Sequence, residues 1–364
     1  MLDNTKKIQV FSRVRVFATI LVLIGHCTSL SYGTSNHIVN CFYGLYPSVE
    51  NILNIIYKII YHFHMPLFVT LSGALFDRSK NQNSFSDYFW KKTKRLLIPY
   101  YSVLIGIYIP VRLLIGYYDG INLSNIIFQD ILLGSDVNYL WYLVMLMEVS
   151  LIFWILRNKF RFIYENKKIE LIIVFLILNI LGMHCGNLPF QVHRTLEFLL
   201  WFEIGIIINK NLNRFCKANG FQIGIVLSVF VIAAFFTYIL KNTSVLYLNS
   251  FFYYFTKLLL EMNRIVLAMS GVCVSWMVLA KSRTKLCQYL GALEEYSFDI
   301  YLYHVPVITL YSWFVQNKLF YLIYDSLSYL LFVILKFVVS IFGSILLILI
   351  INTVKRKVES YGES

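Results

Sequence analysis

Phe11–Ser29 reads FSRVRVFATILVLIGHCTS, an apolar run broken by Arg13, Arg15 and His26. Eleven steps at about 100° each return a helix to within about 20° of its starting direction, so Arg15 and His26 share one face. The rise between them is about 16 Å, roughly half the hydrocarbon thickness of a bilayer. A guanidinium near one end of such a helix and an imidazole deep inside it are costly unless they face a polar interior. A neutral histidine bonded between helices is the bland reading. Arg15 on the same face favours a functional one, with the imidazole able to take a proton near neutral pH.

The rest of the chain repeats the pattern of that run. Hydrophobic residues make up 59% of the 364, and mean hydropathy is +0.67. Soluble domains are typically about 45–50% apolar, so the chain belongs to the membrane class. Ten apolar spans are expected, near 11–31, 53–76, 97–117, 139–156, 169–185, 194–209, 221–240, 262–280, 297–316 and 328–351. The expected fold is therefore all-α and polytopic, one membrane domain over 1–357 followed by a short tail, 358–364. The first span lacks a small-residue cleavage site and is followed by more spans, so it is not read as a signal peptide.

With the N-terminus inside, 23 of the 32 Lys and Arg residues fall in cytoplasmic segments, which orients both termini to the cytoplasm. The stretches Tyr32–Asn51 and Asp119–Tyr139 hold no Lys or Arg. The net charge of +13 follows from this bias and gives no support to nucleic-acid binding. Six cysteines show no metal-ligand spacing. Cys41 and Cys185 both fall in expected outer loops, where a disulfide between them could form.

Other ionisable groups lie at depth. His62 and His64 flank Phe63 in the second span, but two residues on a helix diverge by about 200°, so one imidazole at most lines a common site. Pro66 follows and is expected to disturb the helix. His304, Glu148 and Glu203 lie deep in the ninth, fourth and sixth spans. Together they suggest a polar cavity inside the bundle, or else separate interhelical hydrogen bonds. Lys91-Lys92-Thr93-Lys94-Arg95 stands just before Ile98-Pro99-Tyr100. Such a cluster anchors topology by default, and beside a proline-containing helix start it also suits a phosphate group.

Taken in order, these segments resemble the membrane acyltransferase family 3, which includes O-acetyltransferases of bacterial surface glycans. Arg15 and His26 match that family's Arg, ten residues, His pattern. Pro66-Leu67-Phe68-Val69 with Ser72-Gly73 is similar to its proline–aromatic–Ser-Gly stretch. Lys92-Thr93-Lys94-Arg95 with Ile98-Pro99-Tyr100 resembles its basic loop motif, and Leu140-Trp141-Tyr142-Leu143 its tryptophan motif. Ser297-Phe298-Asp299-Ile300-Tyr301-Leu302-Tyr303-His304 resembles its late Ser-to-His signature. Two positions depart. Ser12 stands where the family often carries an acid, leaving the partner of Arg15 open. Lys92 replaces an Arg, which keeps charge but loses the bidentate fork.

The resemblance implies acyl transfer from cytosolic acyl-CoA, acetyl-CoA by default, to a hydroxyl of a cell-surface or lipid-linked glycan, in the bacterial cytoplasmic membrane and without a metal. It also implies roles for individual residues. Lys92, Lys94 and Arg95 would receive the CoA phosphates, and Arg15 would position the donor or stabilise developing charge. His26 would act as general base or as acyl-accepting nucleophile. His64, Trp141, Tyr142, Glu148, Tyr301 and His304 would line the substrate path. The chain ends at Ser364 without the extracytoplasmic hydrolase-like domain of some relatives, so the membrane part is expected to act alone or with a partner. A homo-oligomer stays open. The competing reading is a transporter or flippase of a glycan or lipid-linked sugar, which would use the same buried charges and broken helices without chemistry.

Overall fold

The computed structural model describes residues 4–29, 44–78, 84–134, 137–186, 188–242, 250–281 and 285–362. Cys41 lies outside them, and Cys185 is a free thiol. The long helices are α1 (Asn4–Thr28), α2 (Pro47–Arg78), α3 (Phe85–Leu114), α4 (Asn138–Asn158) and α5 (Lys168–His184). They continue with α6 (Val192–Lys210), α7 (Gly220–Asn242), α8 (Ser250–Lys281), α9 (Lys285–Lys318) and α10 (Ser326–Gly362). No strand occurs among the described residues.

Seven helices are long and apolar enough to cross a membrane: α1 to α4, α7, α8 and α10. The others differ for readable reasons. α5 has 17 residues, α6 carries Arg194, Glu197 and Glu203, and α9 is diluted by Glu294, Glu295 and Asp299. The chain is an all-helical, multi-pass membrane protein.

The centre of the bundle is set by close backbone contact. A Cβ added at Gly73 of α2 would meet the Phe202 carbonyl oxygen of α6 at 2.0 Å, and one at Gly205 of α6 would meet that of Thr70 at 2.0 Å. In lipid there is little hydrophobic drive between helices, so small residues that let backbones touch supply the packing. Trp276 of α8 fills the adjoining space, fully buried against Phe11 and donating Nε1–H to Thr70 Oγ1 at 3.2 Å. α1 is wedged between α2, α8, α9 and α10. α7 packs chiefly on α8 and leaves most of its apolar surface outward, as a lipid-facing helix does.

α3 differs from expectation. The third span was expected from residue 97, with the basic cluster in a loop, yet the helix starts at Phe85. Ser84 caps it reciprocally: the Asp87 N–H donates to Ser84 Oγ at 3.1 Å, and the Ser84 N–H to Asp87 Oδ2 at 3.4 Å. Two π-helical turns interrupt α3, Thr93–Leu97 and Leu104–Tyr108, and each is followed one residue later by a proline, Pro99 and Pro110. Proline cannot donate to the carbonyl four residues back and its ring crowds that group. The chain answers by widening: Ile98 and Ile109 donate five residues back, to Thr93 and Leu104. The basic cluster therefore sits on a helical face with a wide turn instead of in a flexible loop. In the last turn of α3, Arg112 is held between the rings of Tyr108 and Tyr117, at 4.3 and 4.0 Å.

Candidate active site

A cavity of about 420 Å³ opens between α1, α2, α3, α4 and α9. Each helix contributes residues at helical spacing. α1 gives Arg15 and Thr19, α4 gives Tyr142, Leu143 and Leu146, and α9 gives Glu294, Ser297 and Tyr301. α3 gives Tyr88, Lys91, Lys92 and Arg95, so the wide turn presents three of the basic side chains to one space. Lys94 points elsewhere and is exposed. Lys92 Nζ lies 3.2 Å from Ser150 Oγ of α4 and over the Tyr88 ring, which fixes one cation at the cavity wall.

The charges in this cavity are unevenly placed. Four cations (Arg15, Lys91, Lys92, Arg95) face three carboxylates (Asp87, Glu294, Glu295), leaving a slight positive excess concentrated on α3. Arg15 has a partner after all: its Nη1 lies 3.3 Å from Glu294 Oε1 of α9. Ser12 also donates its hydroxyl to Glu294, on the other carboxylate oxygen.

Three aromatic rings form the far wall of the cavity. Tyr142 and Tyr301 lie 5.5 Å apart between centroids, with Phe68 at 5.9 Å from the first and 6.5 Å from the second. Tyr142 is fixed by a 3.1 Å hydrogen bond with Ser72, and Tyr301 donates its hydroxyl to the Tyr139 carbonyl. Tyr139 in turn donates to the Leu302 carbonyl at 2.6 Å.

Behind this layer sits a second polar group. The rings of His26 and His304 are 4.9 Å apart, brought together from α1 and α9. His304 is fully buried; its Nδ1 lies 2.8 Å from the Tyr301 carbonyl and 3.1 Å from that of Ile300. A ring nitrogen facing carbonyls must carry the proton, so Nε2 keeps its lone pair, and it has no hydrogen-bond partner among the described residues. His64, buried with Nδ1 at 2.9 Å from the Ile60 carbonyl, lies within electrostatic reach of His26. His62 instead bonds the Lys58 carbonyl of its own helix.

A comparison with known families matches the description Acyltransferase domain, the acyltransferase 3 model, over residues 11–349. The chain belongs to that family. It is a membrane acyltransferase, and the matched stretch runs from Phe11, within α1, to Leu349, within α10. No curated protein and no solved structure matches the chain.

Of the residues singled out in the sequence, Arg15, Lys92, Arg95, Tyr142 and Tyr301 meet at the cavity. His26 and His304 meet behind it, while His64 is buried and bonded to the Ile60 carbonyl of its own helix. Trp141 and Glu148 lie elsewhere: seven residues apart on α4, they share the face turned to α6. There Trp141 packs on Phe198 at 5.4 Å under Arg194, and Glu148 accepts from Thr195 at 2.6 Å. Sequence reasoning missed Glu294, Lys91 as a lining residue, and Tyr139. Glu294 had one usable signal, since Ser12 leaves a buried-face arginine in want of an acid from another helix. Among the described residues no group of three or more His, Cys, Asp or Glu could hold a metal ion.

Proposed function

We propose that this acyltransferase moves an acyl group, most simply acetyl, from acyl-CoA to a hydroxyl of a cell-surface or lipid-linked glycan. The carrying observation is the cavity lined by Lys91, Lys92, Arg95 and Arg15, the last on the same face of α1 as His26, whose ring lies 4.9 Å from that of His304. A nucleotide diphosphate suits cations that converge on one wall, here Lys91, Lys92 and Arg95. The pantetheine arm then runs along the aromatic wall toward Arg15 and the Tyr142–Tyr301 rings. His26 takes the proton of the attacking hydroxyl as its oxygen bonds the thioester carbonyl, and the tetrahedral oxyanion gathers against cationic or hydroxyl donors. Collapse breaks the carbon–sulfur bond, and the proton passes to the departing CoA sulfur.

In this reading all ten long helices traverse the bilayer as one domain over 1–357, with both termini cytoplasmic and the basic mouth facing the cytosolic donor pool. The membrane is a bacterial cytoplasmic membrane, and the reaction uses no metal. The lysine and arginine bias supports the orientation. The test is mass spectrometry of surface glycans from cells with and without the protein, normalised to folded protein. A gained acyl mass that disappears in His26→Gln supports the reading. An unchanged glycan profile with wild-type protein overturns it. A reporter fused after Ser364 should read cytoplasmic, and an external signal there would reverse the orientation.

A further inference from the structure

The Arg15–Glu294 pair supports an inference that rests on the donor reading above and goes beyond it. Arg15 sits where the cavity leaves the α3 cations behind, and one of its guanidinium nitrogens is taken by Glu294. Arginine has five N–H donors in a planar fork, so a single carboxylate fixes its orientation while other donors remain directed into the cavity. Glu294 and Glu295 make the α9 wall negative, so a diphosphate is steered to Lys91, Lys92 and Arg95 across from it. Both side chains of the pair are 34% exposed, which makes the ion pair a weak contributor to stability and a better orienting device.

We infer that Glu294 is a positioning residue: with Ser12 it holds the Arg15 guanidinium on the acyl end of the donor and away from the phosphates. Ser12 lies one turn before Arg15 and touches the same carboxylate. The position of the acid, on α9 instead of α1, is therefore exchangeable. An aspartate at 12 would reach Arg15 across the three-residue spacing of neighbouring turns.

The experiment uses the full chain in nanodiscs and two probes, CoA and acetyl-CoA. Wild-type protein should bind acetyl-CoA more tightly than CoA by about tenfold, the worth of one charge-assisted hydrogen bond to the thioester carbonyl. Glu294→Gln should lose that preference while keeping its affinity for CoA. It should also lower glycan acylation per folded protein by about tenfold or more. The double variant Ser12→Asp/Glu294→Gln should recover both. A merely structural role would not change the ratio of the two affinities, nor be repaired by an acid on another helix. Retention of the preference in Glu294→Gln, or its loss without recovery in the double variant, overturns the inference. Wild-type protein that binds neither probe sinks the donor reading and this inference with it. Wild-type protein that shows the affinity pattern without acylating glycans leaves Glu294 in place and overturns only the acceptor.

Discussion

The cavity and the histidine pocket behind it share two helices, α1 and α9, yet they are chemical opposites. On α1 and α9 the first offers Arg15 and Glu294, half-exposed and charged; the second offers His26 and His304, ring against ring and enclosed. A charged, open chamber suits a large, highly ionic cosubstrate that must enter and leave. An enclosed pair of imidazoles suits a proton that must be held for one step. In the proposed reading the ionic part of the donor and the proton-accepting imidazoles therefore occupy different chambers along one face of α1.

The deepest loss should come from the histidine side. His26→Gln keeps bulk and hydrogen bonding but removes an imidazole able to take a proton. It should lower acylation by about a hundred- to ten-thousand-fold with CoA affinity unchanged. Near-wild-type acylation in that variant would leave His26 as packing between helices and erase the contrast between the two chambers.

The cavity side comes next. Lys91→Gln, Lys92→Gln and Arg95→Gln combined should weaken CoA binding by about tenfold for each phosphate-binding cation removed. The residual affinity should be less sensitive to salt. Titrating CoA into the nanodisc protein at two ionic strengths reads both. A triple variant with undiminished affinity would mean the cations serve topology alone.

A milder change locates the boundary between the chambers. His304→Gln removes a lone pair set beside His26, while the outer chamber is untouched. Turnover should fall by about tenfold with the donor KM unchanged. A raised donor KM would instead place His304 in the donor path.

Residues outside both chambers should matter least. Lys94→Gln should leave CoA affinity unchanged, and Trp141→Phe should leave it unchanged too, because the Trp141 ring faces α6. A CoA titration showing weaker binding in either would redraw the cavity wall.

Much of this was legible in the chain itself, for reasons that differ by element. Arg15 and His26 could be placed on one face because helical spacing is nearly invariant, and each apolar run marked a helix. The late signature put Tyr301 and His304 one turn apart, and in the structure the first lines the cavity while the second meets His26. Other features needed three dimensions. The sequence shows that Glu294 is present but gives no sign that α9 lies beside Ser12. Trp141 and Tyr142 are neighbours in the chain, and the roughly 100° between them on α4 sends one to α6 and the other to the cavity. The start of α3 was readable from Ser84 and Asp87, yet hydropathy hid it, since the first turns of that helix are polar. The wide turn before Pro99 was less accessible still, because proline announces a disturbance without saying whether the helix will kink, end or widen.

The three-ring layer of Phe68, Tyr142 and Tyr301 matters to the cell as a whole. A membrane that stores energy as an ion gradient tolerates no open bore, because each charge crossing gives up about 2.3 kcal/mol per 100 mV. An enzyme that served both faces through a continuous wet channel would drain that store. The hydroxyls of Tyr142 and Tyr301, tied to Ser72 and to the Tyr139 backbone, hold apolar ring faces together where such a bore would otherwise run. In the proposed reading only the uncharged, small acyl end of the donor has to approach those rings.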